Sequence, residues 1–253
     1  MSNTTHAKRM QHFISAIAAV ALLATSVGAT AQPATQAPPA ASAQQTLSRK
    51  QQSIAPIAAT MAVGDMAQLH AALNQGLDAG LTVSDTKEIL VQLYAYTGFP
   101  RSLNALGELM KVLDARKQRG VQDAAGREPG PVPTGRELLA LGTAHQTQLI
   151  GSPVRGPLFD FAPQVDEYLK THLFGDIFAR DNLDWQSREL ATVGALAALP
   201  GVESQLQSHI AVSLNVGLTP AQLRHVADVL AERGHAEAAR RTQLALQQVM
   251  SKR

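Results

Sequence analysis

The chain has 253 residues, no cysteine, 4% aromatic and 17% charged residues. Without a thiol, disulfides, thiolate metal sites and cysteine nucleophiles are all excluded. The net charge of +2 comes from Lys8 and Arg9, because residues 1–31 hold no acid. The remainder balances 20 basic against 20 acidic residues, which with so few aromatics argues against a nucleic-acid surface.

Lys8 and Arg9 precede the apolar run "FISAIAAVALLATSVGA" and then Ala29-Thr30-Ala31. A basic start, a short apolar stretch and an A-x-A site predict a secretory signal peptide over 1–31, cut after Ala31. The run is short, and diluted by alanine, for a span needing about 20 apolar residues. The mature protein is therefore expected in the periplasm or outside the cell, with no membrane association. Residues 32–46, "QPATQAPPAASAQQT", carry no charge and no core-forming residues, and read as a flexible leader.

A first helical unit is predicted over 47–118. Ser48 and Gln51 have capping-box spacing, followed by an alanine-rich helix to about Val63. Leu69, Leu73 and Leu77 form one stripe on the next helix. Gly80-Leu81-Thr82 ends that helix and caps the following one, with Asp85 three residues on. Ile89, Leu90 and Leu93 continue the core face. "YTGFP" breaks the chain at Gly98 and Pro100, and Leu103, Leu106, Met110 and Leu113 are expected to form a third buried stripe.

Residues 119–160 read as a linker. "RGVQDAAGREPGPVPTG" is a Gly/Pro-rich loop, "GRELLALG" a short helix, and "IGSPVRGPLFDFAP" another loop. The second unit, 161–253, repeats the first. Leu206, Ile210 and Leu214 match Leu69, Leu73 and Leu77 at a constant offset. Gly217-Leu218-Thr219-Pro220 repeats the earlier junction, Gln222 completes its box, and Val226, Val229 and Leu230 precede a helix to about Met250. No stretch alternates with period two, so the predicted fold is all-α. Residues 47–113 and 183–250 are expected to be two like units packed about a pseudo-twofold axis.

"GLT" in each half, "YTGFPRSLNAL" in the first, and "LFGDIFARDNLDWQSRELATVGALAAL" with "QLQSH" in the second carry a specific resemblance. From Leu47 to Met250 the chain resembles the carboxymuconolactone decarboxylase family, with its alkyl hydroperoxidase D-like fold, in an exported tandem form. The resemblance implies an all-α bundle and ring-like assembly. A tandem chain would stand in for a dimer, and three chains would rebuild a six-unit ring as a homotrimer. It also implies one of two activities. One is cofactor-free decarboxylation of a small unsaturated lactone acid. The other is peroxidase (peroxiredoxin-type) chemistry through C-x-x-C-x-x-x-H. His209 fits the histidine of that pattern, but its two cysteine positions fall on Val202 and Gln205, so the thiol mechanism is absent.

His209 lies at the edge of the Leu206/Ile210/Leu214 stripe and suits acid–base work, although a histidine beside an apolar face is commonly structural. Glu189 matches the family's glutamate ahead of the histidine and would orient the ring; it also suits the start of a helix. The first unit has Ser53 and Ala72 at these two positions, so both members are lost together. Arg188 and Arg180 could each hold a substrate carboxylate, or Arg180 could pair with Asp181 or Asp184. Tyr94 and Tyr96 could line a pocket or belong to a core face. Trp185 reads as a packing anchor.

The histidine spacings suggest no metal, and no nucleotide-binding glycine motif is present, so no cofactor is expected. Two functions stay open. One is a lyase or isomerase acting on a small carboxylate or lactone by His/Glu acid–base chemistry. The other is a non-catalytic binding or scaffold protein of the same fold.

Overall fold

The computed structural model describes residues 46–253; the expected signal peptide, and the expected leader up to residue 45, lie outside the described residues. The first half contains α1 (Arg49–Gln52), α2 (Ile54–Val63), α3 (Met66–Asp78), α4 (Val83–Gln92), α5 (Tyr94–Thr97) and α6 (Phe99–Gln118). The middle contains α7 (Gly135–Ile150), α8 (Pro157–Phe161), α9 (Pro163–Tyr168) and a π-helix (Leu169–Ile177). The second half contains α10 (Trp185–Ala198), α11 (Glu203–Asn215), α12 (Pro220–Glu232) and α13 (Ala236–Met250). Among the described residues every regular element is helical, and no helix is long and apolar enough to cross a membrane.

Two helices form the hub. Every residue of α2 from Ile54 to Ala62 is buried, and so is every residue of α10 from Ser187 to Ala197. A helix buried on all sides needs small side chains wherever another backbone approaches. Gly194 marks that contact: a Cβ there would stand 2.6 Å from the Ala55 carbonyl oxygen. Around the hub, α3, α4 and α6 of the first half and α11, α12 and α13 of the second close one continuous apolar core. The halves interlock, because α12 reaches α2 while α4 and α5 reach α10.

The helix starts follow from local chemistry. Ser48 with Gln51, Thr82 with Asp85 and Thr219 with Gln222 each form a reciprocal capping box, as the spacing predicted. Gly80 and Gly217 take positive φ of 98° and 94°, conformations that a residue with a Cβ adopts only at a cost.

Three expectations are corrected. On α6, Leu103 and Met110 are 63% and 67% exposed, while Ser102, Ala105, Leu109 and Val112 face the core. The helix has two apolar faces, and polar anchors select between them. Ser102 Oγ donates to the Leu90 carbonyl at 2.8 Å, and Glu108 meets His70 at 2.7 Å. The short helix at "GRELLALG" runs on to Ile150 as α7. Gly142 sits inside it rather than ending it, because the π-helix passes so close that a Cβ would collide with the Lys170 carbonyl. The supposed loop after Ile150 contains α8 and leads directly into α9.

Candidate active site

His209 comes from α11 and Glu189 from α10, one turn before Thr192. The Nδ1 of His209 lies 2.8 Å from Oε2 of Glu189. The carboxylate is 1% exposed and the imidazole side chain 15% exposed. With Glu189 ionised, the ring donates its Nδ1–H to the carboxylate. This fixes the tautomer and leaves Nε2 as an acceptor. Such a ring can take a proton through Nε2 and return it.

Tyr96, from α5 of the other half, covers this pair. Its ring meets the His209 ring edge-on at 5.4 Å between centroids. Its hydroxyl is buried and has no hydrogen-bond partner among the described residues. Thr192 lies near, but its own hydroxyl donates to the Arg188 carbonyl and accepts from Gln92. Burial, and next the charge of Glu189, push the Tyr96 phenol well above its ordinary value, so it stays a neutral donor. Tyr94 is not brought to the pair. It stacks on Phe99 at 4.2 Å and leans against His172.

The two arginines are held in a polar network with Glu88 and Gln92 of α4. Arg188 is fully buried. Its Nη1 donates to Gln92 Oε1 at 2.9 Å, and its Nη2 donates to Glu88 Oε1 at 2.8 Å and to the Arg180 carbonyl at 2.7 Å. Glu88 also accepts from Arg180 Nε and Asn182 Nδ2. Burial lowers the Arg188 guanidinium from its ordinary value, and the Glu88 charge works in the opposite direction. Arg188 therefore has no exposed surface with which to meet an incoming carboxylate. Arg180 keeps a third of its side chain exposed.

Neither acid expected beside Arg180 pairs with it. Asp181 accepts from Arg127 and the Gly130 amide, and Asp184 caps α10 through the Ser187 amide. Trp185 anchors the same helix start, its indole donating to the Phe178 carbonyl at 3.2 Å. Glu88 and Gln92 escaped the sequence reading. Their four-residue spacing places both on one side of α4, a polar stripe among Ile89, Leu90 and Leu93, which was the available signal. No cluster of three or more metal-ligating side chains occurs among the described residues.

Compared with known families, the chain matches the carboxymuconolactone decarboxylase family model twice, over residues 34–110 and 163–248. No curated protein matches it.

Proposed function

The chain belongs to the carboxymuconolactone decarboxylase family, and from that premise we propose that it is an exported, cofactor-free lyase or isomerase acting on a small unsaturated carboxylate or lactone. The observation that carries this reading is the 2.8 Å bond between His209 and the buried Glu189, with the unpartnered Tyr96 hydroxyl close by. Nε2 of His209 takes a proton from the carbon beside a carbonyl. The electron pair of that C–H bond moves into the carbonyl, forming an enolate. Tyr96 donates a hydrogen bond to the developing oxyanion. The imidazolium, balanced by Glu189, then returns the proton to a different carbon. In the decarboxylating variant, the C–C bond to the carboxylate breaks, carbon dioxide leaves, and its electron pair takes the same route before protonation. Of the two arginines, Arg180 is the one with exposed surface to orient the substrate's acid group; Arg188 holds the wall behind it.

The thiol peroxidase mechanism has no route here, because the chain has no cysteine to form a sulfenic acid intermediate. We further propose a homotrimer. The exposed face of α6, with Phe99, Leu103 and Met110 each more than 60% open, supports a partner surface on the first half. The test of function is a screen of purified protein against small unsaturated acids and lactones, following loss of conjugated absorbance. Saturable turnover of at least one compound is expected. A folded protein inert to the whole class, yet binding a member of it, would favour the non-catalytic reading.

A further inference from the structure

The offset that relates Ala72 to His209 also relates Arg233 to Tyr96. Around Ala72 the molecule therefore has alanine and serine from the first half and arginine from the second, where around His209 it has histidine and glutamate from the second half and tyrosine from the first. These exchanges leave space. A cavity of about 210 Å³ lies between α2 and α3, with Arg49, Ser53, Ala72, Gln75 and Arg233 in its walls. A second, of about 190 Å³, shares Pro56, Ala72, Gln75 and Arg233 with it and extends the recess towards Thr60 and His235. The His209 side has a filled proton-transfer pair; the Ala72 side has an open recess bordered by two guanidinium groups.

The charge of the recess is not cancelled. Neither Arg49 nor Arg233 has an acidic partner among the described residues. The one acid in the wall, Asp78, is held by Arg116 at 2.8 Å. The Gln75 side-chain amide is likewise uncommitted, and Ser53 Oγ, which donates to the Lys50 carbonyl, can still accept. An arginine fork matches a carboxylate through two parallel hydrogen bonds and does not change its charge near neutral pH. Each of the two connected cavities is smaller than the roughly 300–1,000 Å³ usual for drug-sized ligands, which favours a small organic acid as the occupant.

We infer that the recess built on Ser53, Ala72 and Arg233 is a second binding site, separate from the His209 pair, that takes a small organic carboxylate without transforming it. The positions that perform proton transfer in one half have become a recognition site in the other, through loss of the acid–base pair and gain of a fixed positive charge. This site stands independently of whether His209 is catalytic.

Isothermal titration of the purified protein with succinate, and separately with inorganic phosphate, tests it. Succinate is expected to bind saturably, and with the same affinity in His209→Ala protein, which removes the other site. Both Arg233→Gln and Arg49→Gln change exposed side chains, and each is expected to weaken binding at least tenfold. Filling the recess with Ala72→Leu is expected to abolish it. Phosphate binding that is tighter than succinate, or no saturable succinate binding by the wild type, would overturn the assignment to carboxylates. Succinate affinity unchanged by both arginine substitutions would overturn the site itself.

Discussion

Removing the Glu88 carboxylate should destabilise the protein more than any surface change. Arg188 is fully buried and Glu88 is 1% exposed, and the two meet at 2.8 Å. In Glu88→Ala the Arg188 guanidinium stays in the core without its counter-charge, and Arg180 and Asn182 lose their shared acceptor. Breaking a buried pair from one side typically costs about 3–5 kcal/mol. For a fold of this size each kcal/mol corresponds to roughly 2–4 °C in melting temperature, so a drop of about 6–20 °C is expected. Replacing both partners, as Glu88→Leu with Arg188→Met, removes the uncompensated charge and should cost clearly less than the two single changes added together. Urea unfolding of Glu88→Ala, and of wild type, Glu88→Leu, Arg188→Met and their double variant, measures the loss and the coupling. A Glu88→Ala protein within 1 kcal/mol of wild type, or strict additivity in the cycle, would refute the claim that the pair is buried and coupled.

Acid should weaken the start of α4. Burial works against ionisation of Asp85, but bonds from Lys50 and from the Thr82 backbone and hydroxyl outweigh it and lower its carboxyl from the ordinary 3.8. Its contribution is thus fully present above that value and is lost as pH falls through the lower folded-state value; in urea titrations at pH 7 and pH 3, Asp85→Asn should remove this part of the acid sensitivity. Gly194→Ala should destabilise by about 1–3 kcal/mol, since its Cβ would press on the Ala55 backbone, and a wild-type melting curve would contradict the α2–α10 contact. Leu103→Glu with Met110→Glu should leave the fold intact, because both side chains are exposed. By light scattering the double change should convert the proposed trimer to single chains, and an unchanged trimer would place the interface elsewhere.

The parts of this architecture legible from sequence are those decided within a few residues. The three capping boxes and the glycines between helices are local hydrogen-bond and dihedral requirements, and the same pattern recurs in both halves. The face of α6 was not legible, because its leucines and methionine satisfy helical period equally well on the outside. What turns the helix is Ser102 reaching Leu90 and Glu108 reaching His70, contacts that the pattern of apolar residues does not encode. Gly142 looked like a helix end because the close passage of the π-helix cannot be seen from its neighbours. The bond between His209 and Glu189 could be anticipated from the resemblance, because Glu189 stands where the family has its glutamate ahead of the histidine, and both residues are absent from the other copy. Arg188 was read as a candidate for holding a substrate carboxylate; its burial was not legible, because Glu88 and Gln92, which enclose it, lie about a hundred positions earlier in the chain.

The central claim is that His209, oriented by Glu189, moves the proton. It is tested most directly by turnover of a responsive unsaturated acid or lactone by wild type, His209→Ala and Glu189→Gln, with helicity checked by circular dichroism. Loss of a general acid–base typically costs about 100- to 10,000-fold in rate, and that loss in kcat is expected for His209→Ala with the fold retained. Glu189→Gln keeps the shape and the hydrogen bond but removes the balancing charge, and should lose rate to a smaller extent. A folded His209→Ala protein that turns the substrate over at the wild-type rate would contradict the account.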